Sequence, residues 1–194
     1  MGIAAIHPKP KTNKKHHEHQ VFPYLLRNVR ASAPNHVWGT DITYIRLKKG
    51  WLYLVAFMDW FSRFVLSWEL DFTLEVDFVI SALTEAQEIA IPEIINSDQG
   101  SQYTSNRYID QVLAGQSKIS MDGRGRYLDN IFTERLWRTV KYQEVYIHDY
   151  ESPREARNGL SRFFEMYNTY RPHQAIGYLT PAEVYYGSYT LNDF

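Results

Sequence analysis

Three acidic residues occupy positions that an ordinary structural role explains poorly. Asp41 lies in the middle of an apolar run, residues 38–45, that reads as a strand, although aspartate is disfavoured in strands. Asp98 ends a shorter apolar run, residues 94–98, at a place where side chains of open α/β sheets commonly meet ligands. Glu134 lies in a predicted helix. Three carboxylates that converge repel one another and raise their pKa values unless cations neutralise them.

The chemistry that such a cluster would support is phosphoryl transfer on magnesium. Mg²⁺ binds oxygen ligands, keeps several waters and shares its shell with phosphate oxygens. Two such ions about 3.5 to 4 Å apart can activate an attacking oxygen and stabilise a leaving oxygen. The residues alone leave alternatives open: Asp98 could cap a turn, Glu134 could face solvent, and Asp41 could be a satisfied polar residue. Two of the carboxylates could also hydrolyse a glycosidic bond without metal.

The elements around these acids are predicted to follow the order βββαβαβα. In sequence they are strands 38–45, 51–58 and 64–70, a helix 74–90, a strand 94–98, a helix 105–113, a strand 118–121 and a helix 130–142. The first three strands are joined by short turns and should form an antiparallel meander. Ser152 and Thr180 each precede a proline and stand three residues before a glutamate, which predicts two further helices.

The helix over 130–142 has an apolar side and a polar side. At about 100° per residue, the apolar side carries Phe132, Leu136 and Val140, and the opposite side carries Asn130, Glu134 and Lys141. We expect the apolar side to pack on the sheet and the polar side to edge a groove.

Composition limits the class of protein. With 194 residues, of which 44% are hydrophobic, we expect one core domain, 35–187, between a basic N-terminal arm, 1–34, and a tail, 188–194. The absence of cysteine excludes disulfides, thiolate metal sites and cysteine nucleophiles. No apolar run reaches the roughly 20 residues that cross a bilayer, and no signal peptide is recognisable. We therefore expect a cytoplasmic protein without membrane contact.

The charge of the chain is unevenly distributed. The formal net charge is -1, but residues 59–98 hold nine acidic residues against one basic, whereas residues 118–141 hold six basic against three acidic. Distribution rather than sum decides whether a protein attracts phosphates. The pattern suits a face that attracts DNA, and it suits ordinary solvated surface charge equally well.

Two motifs and one spacing make the sequence recognisable. Residues 38–44 (WGTDITY) and 97–105 (SDQGSQYTS), with an Asp-Asn pair shortly before Glu134, resemble the integrase-type catalytic core of insertion-sequence transposases. More narrowly, they resemble the second-frame protein of the IS-three family. Between Asp98 and Glu134 lie 134 − 98 − 1 = 35 residues, which is that family's spacing. The likeness continues through 171–174 (RPHQ) and 180–185 (TPAEVY).

This resemblance implies an RNase H-like fold: a mixed five-stranded sheet, three antiparallel strands and then two more, with flanking helices. It implies that Asp41, Asp98 and Glu134 are both the catalytic residues and the ligands of Mg²⁺ or Mn²⁺, with two ions in the site. Such DDE-type enzymes cut DNA at the ends of their element and join the freed 3′-hydroxyl to DNA. Lys141, seven residues after Glu134, matches a basic position that contacts DNA near the reacting end.

Further DNA contacts are predicted with an alternative for each. Asn130 could bind a ligand or phosphate, or it could cap the helix. Arg126 and Arg138, together with Arg124 and Arg135, could contact phosphates, which position DNA without reading its sequence. Their alternative role is to keep the surface charged.

The resemblance also suggests partners. They are the element's terminal repeats and target DNA, further copies of the chain, and the companion first-frame protein, with association to the nucleoid when DNA is bound. Longer family members carry an upstream segment that resembles a helix-turn-helix, and this chain begins where that segment would end. The alternative function is therefore a non-catalytic fragment that binds DNA or interferes with the intact transposase.

Overall fold

The computed structural model describes residues 20–123 and 131–187. A five-stranded sheet with the order β3-β2-β1-β4-β5 forms its centre. Its strands are β1 (Val37–Arg46), β2 (Trp51–Asp59), β3 (Val65–Asp71), β4 (Ile94–Ser97) and β5 (Lys118–Met121). The main helices are α1 (Val76–Ile89), α2 (Asn106–Ala114), α3 (Ile131–Val140) and α5 (Pro153–Thr169), with short helices α4 (Tyr146–His148) and α6 (Pro181–Tyr186). The predicted order of strands and helices is confirmed.

The sheet is mixed, as predicted. β1, β2 and β3 are antiparallel neighbours, and the turn between β1 and β2 depends on Gly50, whose φ of 92° side-chain-bearing residues rarely adopt. β4 and β5 add parallel to the other side of β1. Parallel neighbours need a crossover connection. Here α1 connects β3 to β4, and α2 connects β4 to β5.

Side chains of the sheet bury apolar surface on both faces. Along β2, Leu54 and Ala56 belong to one core cluster with Leu136 of α3 and Leu160 of α5, whereas Val55 belongs to a second cluster with residues of α1 and α2. The alternation follows from the two-residue period of a strand. The sheet therefore separates an α1/α2 layer from an α3/α5 layer.

The segment that follows α3 differs from the expected single helix over 130–142. α3 ends at Val140 and continues as a π-helical turn, Lys141–Val145, before α4. Apolar spacing cannot reveal this change, because one extra residue per turn leaves the pattern nearly helical over such a short stretch. Single π-helical turns inside helices are frequent at functional sites.

The two capped helices begin where their sequences predict. Thr180 Oγ1 accepts a hydrogen bond from Glu183 N at 3.2 Å, and Glu183 Oε2 accepts one from Thr180 N at 2.7 Å, which completes a capping box. At α5, Ser152 Oγ accepts from Glu155 N at 3.3 Å. Among the described residues, no helix is long and apolar enough to cross a membrane.

Candidate active site

The register of the sheet brings Asp41 and Asp98 together. β1 and β4 are parallel, with Val37 opposite Ile94 and Gly39 opposite Asn96. The same offset, continued past the end of β4, places Asp41 level with Asp98. Neighbouring strands lie about 4.8 Å apart. Both carboxylates therefore stand side by side at the carboxyl end of β4.

A close approach of α3 to β1 brings Glu134 to the same region. A Cβ atom at Gly39 would collide with the Trp60 indole and would lie 3.0 Å from Thr133 Oγ1. The glycine thus leaves room for α3 to pack directly on the strand, and Thr133 is completely buried there. Glu134 follows Thr133 in the first turn of α3, and its side chain is exposed.

Asp41 is the most perturbed of the three acids. Its half-buried carboxylate accepts a hydrogen bond from Trp137 Nε1 of α3, with 3.0 Å from Nε1 to Oδ2. Burial raises the pKa of Asp41 to about 6, and the negative charges of Asp98 and, more weakly, Glu134 add to this rise. Asp98 and Glu134 therefore both act electrostatically on Asp41, while the Trp137 hydrogen bond favours its ionised form.

Asp98 lies on a loop that is hydrogen-bonded to Asp122, the residue after β5. Its Oδ1 accepts a hydrogen bond from Gly100 N at 2.9 Å, and a side chain at position 100 would crowd that same oxygen. Two residues close to Asp98 in sequence also bind Asp122. The Asn96 side chain donates to the Asp122 side chain, and the Gln99 side chain donates to the Asp122 carbonyl, each at 2.8 Å. Although the Asp98 side chain reaches solvent, desolvation by the surrounding protein raises its pKa.

Lys141 begins the π-helical turn and is half-buried. Burial lowers the pKa of its ammonium, and the negative charge of Asp41 partly offsets that effect. The structure therefore places a cation beside the acids. Arg138 is exposed, with its guanidinium 5.9 Å from the centre of the Tyr142 ring. Asn130 and Arg126, the two other predicted DNA contacts, lie outside the described residues, as does Arg124.

Trp137 is the residue of this site that sequence reasoning missed. It lies three residues after Glu134, close to one helical turn, and so it projects from a neighbouring part of the helix surface. It is buried, with only 6% of its surface exposed. A tryptophan at this spacing reads as core, and only its position against β1 reveals that its N–H is aimed at Asp41.

The donor set fits a divalent cation that is shared with a substrate. Within the described ranges, no three His, Asp or Glu side chains form a group that could hold a metal ion. Magnesium, however, is usually held by one or two carboxylates together with substrate phosphates and waters. Asp41 and Asp98 supply such a pair, and burial raises the pKa values of both, an effect that a bound cation would oppose. The residues therefore fit Mg²⁺ or Mn²⁺.

Two grooves formed by the described residues lie away from the acids. One of about 670 Å³ runs along β3 between α1 and α5, and another of about 680 Å³ lies near Pro92 and Gly115. The acids lie instead at the carboxyl end of β4, where the side chains of Asp98 and Glu134 are exposed. A long, flexible polymer can reach such an exposed site, whereas small ligands prefer enclosed pockets.

Comparison with known families and sequences gives a consistent result. Two models, both described as integrase core domain, match residues 31–126 and 116–181. The transposase for insertion sequence element IS904 of Lactococcus lactis is 33% identical over 166 residues, which are 83% of this chain and 66% of that protein. Transposase InsF for insertion sequence IS3A of Escherichia coli K12 is 31% identical over 163 residues, 82% of this chain and 57% of that protein.

The Shigella sonnei insertion element IS600 uncharacterized 31 kDa protein is 32% identical over 178 residues, which cover 88% of this chain and 65% of that protein. The resemblance to insertion-sequence transposases of the IS-three family is confirmed. The chain spans between 57% and 66% of the length of these three relatives.

Solved structures confirm the RNase H-like fold. The HTLV-2 integrase catalytic core domain in complex with magnesium matches with a TM-score of 0.67 and 21% identity, over 81% of this chain and all of that chain. The simian T-cell lymphotropic virus intasome in complex with PP2A regulatory subunit B56 gamma matches with a TM-score of 0.72 and 23% identity, over 89% of this chain and 61% of that chain.

Proposed function

Because the chain belongs to the integrase core domain family, we propose that it is the catalytic core of an insertion-sequence transposase. It cleaves DNA at the ends of a mobile element and joins the freed 3′-hydroxyl to target DNA. One observation carries the proposal: the β1–β4 register and the packing of α3 gather Asp41, Asp98 and Glu134 closely enough for both other acids to raise the pKa of Asp41.

Each acid has a role that follows from its position. Asp41, between Asp98 and α3, is the central metal ligand; Asp98 completes a pair from the adjacent strand, and Glu134 supplies a third carboxylate from the helix. When bound, two Mg²⁺ or Mn²⁺ ions supply an activated attacking oxygen and stabilise the leaving oxygen at phosphorus. The solved HTLV-2 neighbour is in complex with magnesium, which supports this choice of ion.

The remaining residues prepare the acids and hold the substrate. Trp137 fixes one oxygen of Asp41 and so orients its carboxylate. The ammonium of Lys141, beside Asp41, meets a phosphate of the DNA strand near the reacting end. Arg138 and, from outside the described residues, Asn130 and Arg126 are further contacts of the proposed DNA path.

The partners follow from the same reaction. The substrate is DNA, both the element's terminal repeats and the target, and we propose that several copies of the chain act together. One solved neighbour is an intasome, which supports the assembly of such cores on DNA. We also propose that the chain acts with a companion first-frame protein and associates with the nucleoid when it is bound to DNA. No observation favours the alternative of a non-catalytic, interfering fragment.

The test is DNA nicking and strand joining on a labelled terminal-repeat duplex, with magnesium and with EDTA. We expect metal-dependent products from the wild-type chain and a loss of about 10³-fold in Glu134→Gln, since a carboxylate that stabilises the transition state is removed. Glu88→Gln, an exposed acid on α1, is the matched control and should retain full activity. Equal activity of Glu134→Gln and wild type would overturn the assignment.

A further inference from the structure

A second charged feature lies on the other flank of α3. A cleft of about 300 Å³ is lined by four arginines, Arg63, Arg135, Arg138 and Arg171, together with Tyr167 and His173. None of its lining residues is an aspartate or glutamate. Clustered like charges repel one another, and an anionic ligand would relieve that repulsion. We call this cleft the arginine pocket.

Arg63 is built into the floor of the pocket. It follows the turn after β2 with φ of 68°, its guanidinium donates to the Trp60 carbonyl, and its carbon Cζ lies 3.5 Å from the centre of the Phe132 ring. Burial lowers the pKa of Arg63 to about 10, with smaller contributions from Arg135 and Arg30. It therefore stays charged at neutral pH despite an unfavourable site.

Asp59 offsets part of this cost, because its negative charge favours the charged form of Arg63. It forms no salt bridge with Arg63: Asp59 is completely buried, its Oδ1 accepts from Asn35 N at 2.8 Å, and its Oδ2 accepts from the N and Oγ of Ser62, each at 2.7 Å. Across the part of the chain that the structure describes, none of the four pocket arginines forms a salt bridge. Arg63 is therefore half-buried without a salt bridge, in a pocket that no carboxylate lines.

The RPHQ segment closes the pocket from the opposite side. Arg171 donates to the Gln143 side chain, a neutral partner that leaves its charge uncompensated. His173 packs edge-on against Tyr167 with 4.7 Å between ring centres, and its Nε2 is buried without a hydrogen-bond partner. Burial and the neighbouring Arg171 and Arg63 lower the pKa of His173 to about 4, so the imidazole is neutral. The neutral ring adds no positive charge to the pocket, so the four arginines supply the attraction for an anion.

We propose that the arginine pocket binds a backbone phosphate of the DNA strand that enters or leaves the active site. The proposal rests on the proposed function. At about 100° per residue, Glu134 and Lys141 lie on one flank of the helix, Arg135 lies on the pocket flank, and Arg138 lies between them. A strand at the acids can therefore continue across Arg138 into the pocket. Arginine suits this role because its planar guanidinium binds phosphate oxygens in pairs.

The experiment compares two double variants with the same change in net charge. Arg135→Gln/Arg171→Gln removes two pocket charges, whereas Arg154→Gln/Arg162→Gln removes two exposed charges of α5 outside it. Binding of a fluorescent DNA duplex is measured by anisotropy at several salt concentrations in EDTA, where no metal-dependent cleavage occurs. The result is therefore independent of whether the proposed activity is correct.

We expect the pocket pair to weaken DNA binding about 10- to 100-fold and to reduce the slope of log K against log salt by about one to two, because each lost phosphate contact removes roughly 0.9. The control pair should change affinity less than about twofold. Equal effects of the two pairs, or none, would overturn the proposal.

A second arm separates DNA from free phosphate. Inorganic phosphate is titrated into both double variants and the wild type, and the thermal midpoint is recorded. Weak stabilisation of the wild type that disappears in the pocket pair, together with the loss of DNA affinity, supports a backbone phosphate site. Stabilisation by inorganic phosphate with unchanged DNA binding would mean a small-anion site and would contradict the DNA contact.

Discussion

The two flanks of α3 carry opposite excess charge. The acidic flank holds Asp41, whose pKa is raised to about 6 by burial and by the charges of Asp98 and Glu134. The basic flank holds His173, whose pKa is lowered to about 4 by burial and by the charges of Arg171 and Arg63. Each flank therefore disfavours further charge of its own sign. In the proposed complex, metal ions would neutralise the acids and the phosphate oxygens of DNA would neutralise the arginines.

Removing one charge from the acidic flank should have the largest effect. Asp41→Asn is expected to lower strand cleavage by about 10³-fold or more, because it takes away the proposed central metal ligand. The same variant should raise the free energy of unfolding of the metal-free protein at neutral pH by about 1 to 3 kcal/mol, because the ionised carboxylate is disfavoured there. Activity assays and urea unfolding in EDTA measure the two effects.

The matched control for this variant is Asp110→Asn, an exposed acid on α2. It should change neither cleavage nor stability by a measurable amount. A stability gain of equal size in both variants would show that general surface charge, rather than the clustering of acids, opposes folding. Loss of stability in Asp41→Asn would contradict the repulsion directly.

Trp137→Phe tests how the acidic flank is held in place. The change keeps an aromatic ring in the core and removes the N–H that binds Asp41 Oδ2 at 3.0 Å, together with part of the volume of the indole. Partners of a metal ligand typically affect metal affinity or activity by 10- to 100-fold when they are lost. We therefore expect a higher magnesium concentration for half-maximal cleavage, by about tenfold, with a smaller change at saturating magnesium.

Trp51→Phe is the control, because that side chain is 57% exposed and lies at the start of β2. Its magnesium dependence should match the wild type. An equal loss at all magnesium concentrations in Trp137→Phe would indicate damaged packing instead of a misplaced ligand.

More residues of the acidic flank than of the basic flank could be predicted from the sequence. The resemblance to the integrase-type core implies that Asp41 and Asp98 share a site, and the position of β4 beside β1 brings them together. Trp137 was missed because its hydrogen bond exists only after α3 has packed on β1. The π-helical turn at Lys141 was missed because it leaves no mark in the apolar spacing.

The arginine pocket was out of reach for a different reason. Its arginines come from three separate segments: Arg135 and Arg138 belong to the basic run 118–141, but Arg63 and Arg171 lie outside it. Arg63 is in fact the single basic residue between 59 and 98, a region that reads as acidic. Tertiary structure alone assembles this site, since side chains distant in sequence meet only there.

His173→Gln gives the smallest and most specific test of the basic flank. A histidine whose pKa falls from 6.5 in the unfolded chain to about 4 in the folded protein binds a proton less readily when folded. Stability is then fully present above about pH 6.5 and is lost as the pH falls toward 4, by about 2 kcal/mol at pH 5. His173→Gln should lack this loss. Asp41, Asp59 and Asp98, whose raised pKa values act in the opposite direction, are common to both proteins and cancel in the comparison.

Urea unfolding of both proteins at several pH values, in buffer without phosphate, measures the difference. The gap between the two curves should widen by about 2 kcal/mol from pH 7 to pH 5, and NMR titration of the imidazole should place the His173 midpoint near 4. Parallel curves, or a midpoint at the usual value for histidine, would show that the arginines and burial do not suppress charge at His173. The basic flank would then be more open to solvent than the acidic flank, and only the acidic flank would suppress further charge of its own sign.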